Sequence, residues 1–348
     1  MMIRNLIFSV KKAIIKNSIK KRNKKKPFNE AFAENYKIPS DAGTDFNNSY
    51  YFSAHHLDGE SLFVRLGERG GGSNSEIWFA YKGKFGLFSS TILLCNAEQS
   101  PLQVECLETG KKWKISYRGM MESLENSDNK KVCEATFEGV FTASAPIFDF
   151  TSDLNPEVLA RSFANEKWNS TFFKEVNKNN QTHYEQQGFL KGKLTIGEHE
   201  TMLDSPALRD HSFGKRDWTY MDKHIWLMAL DKDGNSLNVS MVGYPAIRKL
   251  EVGNIYRSGQ PQCILHTTGL DGKVTEKGVP EKVTVCCLLE NGEKLEITAE
   301  KEAEVPYSFA DEGYFLYEGI GTFTINGKKA RGIMEFGFNS DRSRWNRT

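Results

Sequence analysis

From Tyr50 onward the chain is divided into short runs of aromatic and β-branched residues separated by turn residues. Each run is too short for a packed helix but long enough for a strand. In the first half the runs are Tyr50–His56, Ser61–Leu66, Glu76–Tyr81, Leu102–Leu107, Lys112–Tyr117 and Ala135–Thr142. The pattern resumes at His183–Phe189 and Lys193–Ile196. It continues through His224–Leu230, Leu237–Val242, Cys263–Thr267, Val283–Leu289, Lys294–Ala299 and Gly332–Phe338. The pairs Asp233-Gly234, Asp271-Gly272, Asn291-Gly292 and Asn326-Gly327 are hairpin turns, since these residues tolerate the positive φ such turns need. This many short strands predict an all-β chain of two antiparallel barrels or sandwiches in tandem.

One helix interrupts the pattern. Asn155 is its cap, Pro156 suits its first turn, and Val158, Leu159, Ser162 and Phe163 form its apolar side as far as about Trp168. The expected division is a tail over 1–40, a β domain over 41–200 and a second over 201–348, with the boundary inside 198–208. The glycines at 67, 70, 71 and 72 mark a hairpin tip. They lack the Gly-Lys-Ser/Thr ending of a phosphate loop, so no nucleotide site is expected there.

Charge is distributed unevenly. Residues 1–26 hold ten Lys/Arg and no acid, and the first acidic residue is Glu30. The remainder holds 36 of the 46 basic residues against all 45 acidic ones, a net charge of −9. A body this acidic is not a nucleic-acid binder. Met2, Ile3, Leu6, Ile7, Val10, Ala13 and Ile14 recur at helical spacing. Arg4, Lys11, Lys12 and Lys16 lie mostly opposite, with Phe8 and Ile15 interrupting the polar side. Pro27 ends the helix. The tail reads as a basic amphipathic helix for an anionic membrane surface, with a mitochondrial presequence or a solvated tail as alternatives. No apolar run is long enough to span a bilayer, so the expected location is cytoplasmic and peripheral to membranes. The six cysteines form no CxxC and read as small apolar residues of a reduced protein.

Two segments carry chemistry. In His183-Tyr184-Glu185-Gln186, strand geometry puts His183 and Glu185 on one face and Tyr184 and Gln186 on the other. In Arg209-Asp210-His211-Ser212-Phe213-Gly214-Lys215-Arg216-Asp217-Trp218, two Arg-Asp pairs flank a histidine. His224 and Trp226 follow on one strand face. Three readings compete. A buried carboxylic acid beside His and Trp can protonate an apolar substrate, since burial keeps it neutral and aromatic faces stabilise developing positive charge. His183, Glu185, His211 and His224 could gather a metal, although no His-x-His pair exists. Ser212 could be a nucleophile activated by His211, although no nucleophile elbow is present. The alternative to all three is a buried hydrogen-bonded network that fixes a corner between the barrels.

These same two segments resemble a conserved block of a tandem lipocalin-like domain. That domain stands at the N-terminus of animal and bacterial phosphoenolpyruvate-synthase-like phosphotransferases. Val104-Glu105-Cys106-Leu107-Glu108, Lys112-Trp113-Lys114-Ile115-Ser116-Tyr117-x-Gly119 and Asp153-Leu154-Asn155-Pro156 resemble it too. More distantly, the chain is similar to the superfamily of carotenoid hydratases, Diels–Alderases and survival-factor lipocalins. The resemblance covers roughly 45–340 and implies two lipocalin-like β-barrels with one or two short helices and a cavity for an apolar molecule. No ATP-grasp or phosphohistidine segment is present, so phosphotransfer is not expected.

The expected function is a cofactor-independent hydratase, isomerase or cyclase acting on an isoprenoid- or lipid-like molecule in a barrel cavity. The alternative is a lipid carrier that docks on membranes. Asp210 or Asp217 is the expected acid, with His211 as its partner and Glu185 as a further acid or base. Tyr184, His183, Arg216, Trp218, His224 and Trp226 are expected to line the cavity. No metal or other cofactor is expected.

Overall fold

The computed structural model describes residues 2–25, 28–72, 74–125, 131–178, 181–270, 278–309 and 312–345. The first sheet has eleven strands: Phe46–His55 (β1), Ser61–Arg69 (β2), Asn74–Gly83 (β3), Gly86–Ser90 (β4), Leu94–Asn96 (β5), Leu102–Glu108 (β6), Lys112–Ser123 (β7), Val132–Ala143 (β8), Phe148–Asp149 (β9), Gln181–Ile196 (β10) and His199–Lys215 (β11). The path β11-β1-β2-β3-β4-β7-β8-β10 closes on itself through the β10–β11 pairing, which makes a ring. A closed antiparallel barrel follows in simple up-and-down order. Its strands are Lys223–Leu230 (β12), Ser236–Gly243 (β13), Leu250–Arg257 (β14), Gln260–Thr268 (β15), Lys282–Leu289 (β16), Lys294–Phe309 (β17), Tyr314–Ile325 (β18) and Lys328–Asn339 (β19). Closure leaves neither sheet a long unpaired edge.

The expected all-β class and its lipocalin-like pair of barrels hold, and the hairpin chemistry is local. Asn326 and Gly327 join β18 to β19 with φ of 46° and 80°, as a two-residue hairpin requires. The Asp271-Gly272 turn lies outside the described residues. The expected boundary near residue 200 is corrected. Residues 199–215 are one strand, β11, which pairs with both β1 and β10 in the first ring. The chain passes to the second barrel only after Lys215, because a turn-like composition around 198–208 does not prevent a long strand from forming where two partners hold it.

Both interiors are filled. Phe52, Phe79, Trp113, Phe137 and Phe141 occupy the first ring, and Leu227, Val239, Ile297 and Met334 the second. Removing each large apolar side chain from water contributes roughly 1.5–3 kcal/mol. A third apolar cluster joins outward-facing residues of the two bodies: Tyr51, Phe63 and Trp78 of the ring against Met228, Tyr307, Tyr314 and Ile333 of the barrel. This seam positions the site.

Four helices accompany the sheets: Met2–Lys25 (α1), Glu30–Glu34 (α2), Pro156–Asn165 (α3) and Ser170–Lys178 (α4). The α3 cap is as expected, with Asn155 accepting from the Glu157 N–H at 3.0 Å. No helix among the described residues is long and apolar enough to cross a membrane.

Candidate active site between the two barrels

The β10–β11 register sorts the motif residues. Glu185 pairs with Asp210 and His183 with Ser212; Tyr184 pairs with His211 and Gln186 with Arg209. Directly paired residues share a face, and the faces alternate. His183, Glu185, Asp210 and Ser212 therefore point outward, toward the second barrel. Tyr184, Gln186, Arg209 and His211 point into the ring.

The outward set lines a cavity of about 210 Å³ between the two barrels. Arg216, Asp217, Trp218, His224 and Trp226 line it as well. Eight of the ten expected site residues thus meet at one place, while Tyr184 and His211 do not. The expected location inside a barrel is corrected, since the cavity lies at the seam. The second barrel also opens at its hairpin end into a cup of about 370 Å³, lined by Ile255, Ile325 and Ala330 as well as by Asp231, Arg257, Glu293 and Lys328.

On the ring side, His183 Nε2 makes a short contact to Asp210 Oδ2 and lies 3.9 Å from Glu185 Oε1. Its ring stacks on Phe150 with centroids 4.5 Å apart. The Asn238 side-chain N–H reaches across the seam from β13 to Glu185 Oε2. Glu185 is buried, and a carboxylate stands directly opposite it on the ladder. Burial first, and the Asp210 charge second, push its carboxyl up to about 8. Burial opposes a charge on His183, but Asp210 and Glu185 outweigh it and raise its pKa. At neutral pH Glu185 is held protonated beside the His183–Asp210 contact.

The facing wall repeats this plan. Glu318 of β18 stands directly opposite Glu335 of β19. Glu335 takes a short contact from His224 Nε2, and His224 Nδ1 lies 2.7 Å from the Tyr314 hydroxyl. Burial, then Glu335, holds the Glu318 carboxyl well above its usual range. Gly337 pairs with His224 on the neighbouring strand, and a Cβ there would come within 2.3 Å of His224 Cε1. The glycine is what lets this ring lie against the sheet.

Aromatic faces complete the lining. Trp218 stacks on Phe309 at 4.4 Å, Arg216 lies 5.1 Å above Trp218, and Trp226 meets Tyr51 edge-on at 5.4 Å. Four N–H donors on lining residues are buried and find no acceptor among the described residues: Arg65 Nη2, Gln181 Nε2, Trp218 Nε1 and Trp226 Nε1. Buried donors rarely stay unpaired without a ligand or water to satisfy them.

Several role assignments are corrected. His211 does not partner Asp210. It faces into the ring, stacked on Tyr50 at 4.2 Å with Nε2 2.8 Å from Asn48 Oδ1, and burial followed by the Arg209 charge holds it neutral. Tyr184 lies with it, its hydroxyl 2.6 Å from Glu34. Arg209 is paired with Glu34 at 2.8 Å and not with Asp210. Asp217 is exposed at the rim and caps a short 3-10 turn through the Thr219 N–H at 2.9 Å, so it is no buried acid. Ser212 accepts from Arg216 at 3.0 Å, and His211 is on the opposite face, so no serine nucleophile forms.

For a cation, His183, Glu185 and Asp210 each offer a ligand atom within 4.8 Å of the others among the described residues. His211 cannot join them. Glu335, Tyr51 and Gln181 line the site and were missed by the sequence reading, as was Glu318, which does not line the cavity but pairs with Glu335 on the ladder. The readable signal was an acid inside an apolar strand run, at Glu318 within Tyr314–Ile320 and at Glu335 within Gly332–Phe338.

Among solved structures, the Nitrosomonas europaea protein described as an AttH matches 86% of this chain and 96% of its own length. It is 14% identical, with a TM-score of 0.51. CghA, solved with Sch210972, matches 87% and 93%, at 11% identity and a TM-score of 0.51. At such identities the likeness concerns the fold alone. No curated protein matches the sequence. One family model covers residues 33–340, which takes in both barrels and every residue of the cavity just described, so the chain belongs to the family described as domain of unknown function DUF7064.

Proposed function

We propose that this protein is an enzyme that moves protons on an apolar, oxygen-bearing small molecule held between its two barrels, as a hydratase, isomerase or cyclase. Proton transfer of this kind needs only side chains. Glu185 is the proton donor, because a carboxyl kept neutral near pH 7 can donate where an ordinary one cannot. Asp210 keeps that proton in place by its charge and holds His183. Glu335, oriented by His224 on the facing wall, is the acceptor through its other carboxylate oxygen. Trp218 and Trp226 present ring faces to developing positive charge. Their unsatisfied N–H groups, with that of Gln181, call for a substrate carrying acceptor oxygens, and this narrows the expected polyene or lipid to an oxygenated one.

The observation that carries the proposal is the pair of His–carboxylate contacts contributed by two different barrels to one cavity lining. A carrier would line its cavity with apolar groups and keep charge at the mouth. CghA, which shares the fold, was solved with a small molecule, and this supports a ligand-holding role. Phosphotransfer forms no part of the reading.

The test begins with mass spectrometry of the small molecule that co-purifies with the native protein. Turnover of that molecule is then compared for the native chain, Glu185→Gln and Asp210→Asn. General acid catalysis contributes about 10²–10⁴-fold, so Glu185→Gln is expected to lose that much. Turnover in the native chain is expected to fall as pH rises through about 8, where Glu185 loses its proton. Full turnover in both variants overturns the proposal.

A further inference from the structure

The helix α1 is held to the body by one side only. Ile15 and Ile19 are buried against Ala160, Leu159 and Phe163 of α3 and its neighbourhood. Lys12 and Lys16 straddle Glu157 at 2.7 and 3.0 Å, and Lys11 donates to the Glu166 carbonyl at 2.6 Å. Farther along, Arg22 and Asn23 donate to the carbonyls of Thr151 and Ser152. Phe8 and Ile15, which interrupt the polar side in sequence, therefore lie toward the docked side, and the lysines expected to face water partly serve as pins.

Among the described residues nothing covers the other side. Leu6 is 65% exposed, Ile7 52%, Val10 51% and Ile14 52%. At 100° per residue these four fall within one arc of roughly 100°. Lys20, Lys21 and Lys24 are exposed, and by the same geometry Lys21 and Lys24 continue that arc toward the C-terminal end of the helix. Four branched aliphatics on a solvated stripe are disfavoured unless something covers them. The covering surface must also accept positive charge, because residues 1–26 carry ten basic residues and no acid.

We infer that the outward face of α1 docks the protein onto an anionic lipid bilayer. The stripe Leu6, Ile7, Val10 and Ile14 enters the interface, and Lys20, Lys21 and Lys24 meet the headgroups. Because the opposite side is fastened to α3, the body is carried at a set orientation to the membrane.

The full chain is tested by flotation with phosphatidylcholine vesicles, with and without phosphatidylserine, at low and high salt. Binding is expected only with phosphatidylserine, and it should weaken at high salt. The triple variant Leu6→Ser, Val10→Ser, Ile14→Ser and the triple variant Lys20→Gln, Lys21→Gln, Lys24→Gln should each bind more than tenfold more weakly, with an unchanged unfolding midpoint. Binding that neither variant alters overturns the inference. So does a native dimer that the aliphatic variant dissociates while vesicle binding is absent, since the face would then be covered by a second copy.

Discussion

The β10–β11 ladder presents two faces built from alternating residues of the same two segments, and they have opposite characters. On the inner face Arg209, Tyr184 and Trp113 all converge on Glu34, a fully buried carboxylate delivered by α2, at 2.6–3.0 Å. Asn48 satisfies His211, and Gln186 accepts from Arg209 at 2.8 Å. On the outer face two carboxyls stand opposite one another, one of them kept protonated, and nearby donors lack acceptors. Both faces are polar and buried, so polarity does not distinguish a site from a strut. The number of open groups does: among the described residues the inner network is closed with protein groups except at Arg209 Nη2, whereas the outer lining leaves Arg65, Gln181, Trp218 and Trp226 donors open toward a cavity.

Three substitutions probe that contrast. The largest effect is expected at Glu34→Ala, which leaves the Arg209 charge buried without its partner. Breaking such a pair costs about 3–5 kcal/mol, read as a drop in the denaturant midpoint at unchanged m-value. A cost below about 1 kcal/mol would mean that the inner network is not the strut described.

Glu185→Gln should act differently. Between pH 4.5 and about 8 the folded chain holds a proton on Glu185 that the unfolded chain has released. That contribution to stability is present below pH 4.5 and is lost as pH rises toward 8. The slope is at most about 1.4 kcal/mol per pH unit. Glu185→Gln should flatten this part of the stability-versus-pH profile while leaving the protein folded at pH 5. A variant with the native slope would show that Glu185 ionises normally.

The smallest effect belongs to Asp217→Ala at the rim. Loss of its cap on the 3-10 turn should cost about 0.5–1 kcal/mol in thermal unfolding, with no change in the pH profile. A larger loss with altered turnover would move Asp217 from the rim into the site.

Much of this was legible in the linear sequence. Strand runs, the turn pairs among the described residues and the Asn155 cap are local, and the structure places them where residue chemistry demands. The face assignment of His183 and Glu185 against Tyr184 and Gln186 was legible too, because side chains alternate along any strand. The boundary was misread because β11 takes its stability from strands distant in sequence. His211 was misassigned because proximity in sequence was taken for proximity in space, whereas adjacent strand residues point to opposite faces. Glu34 went unnoticed because nothing local marks an acid in a short helix as the counter-charge for an arginine on a distant strand.

The sequence alone thus determined that the chain is all-β, which residues of each motif share a face, and that its basic charge is concentrated in one terminal helix. These follow from backbone geometry and from composition, which need no partner. The tertiary structure decided which carboxylate faces which, that Asp210 meets His183 and not its neighbour, and that the cavity lies between the barrels. It also decided which side of α1 is left bare. Register across a ladder and packing across a seam arise from contacts between segments far apart in the chain, and no local spacing specifies them.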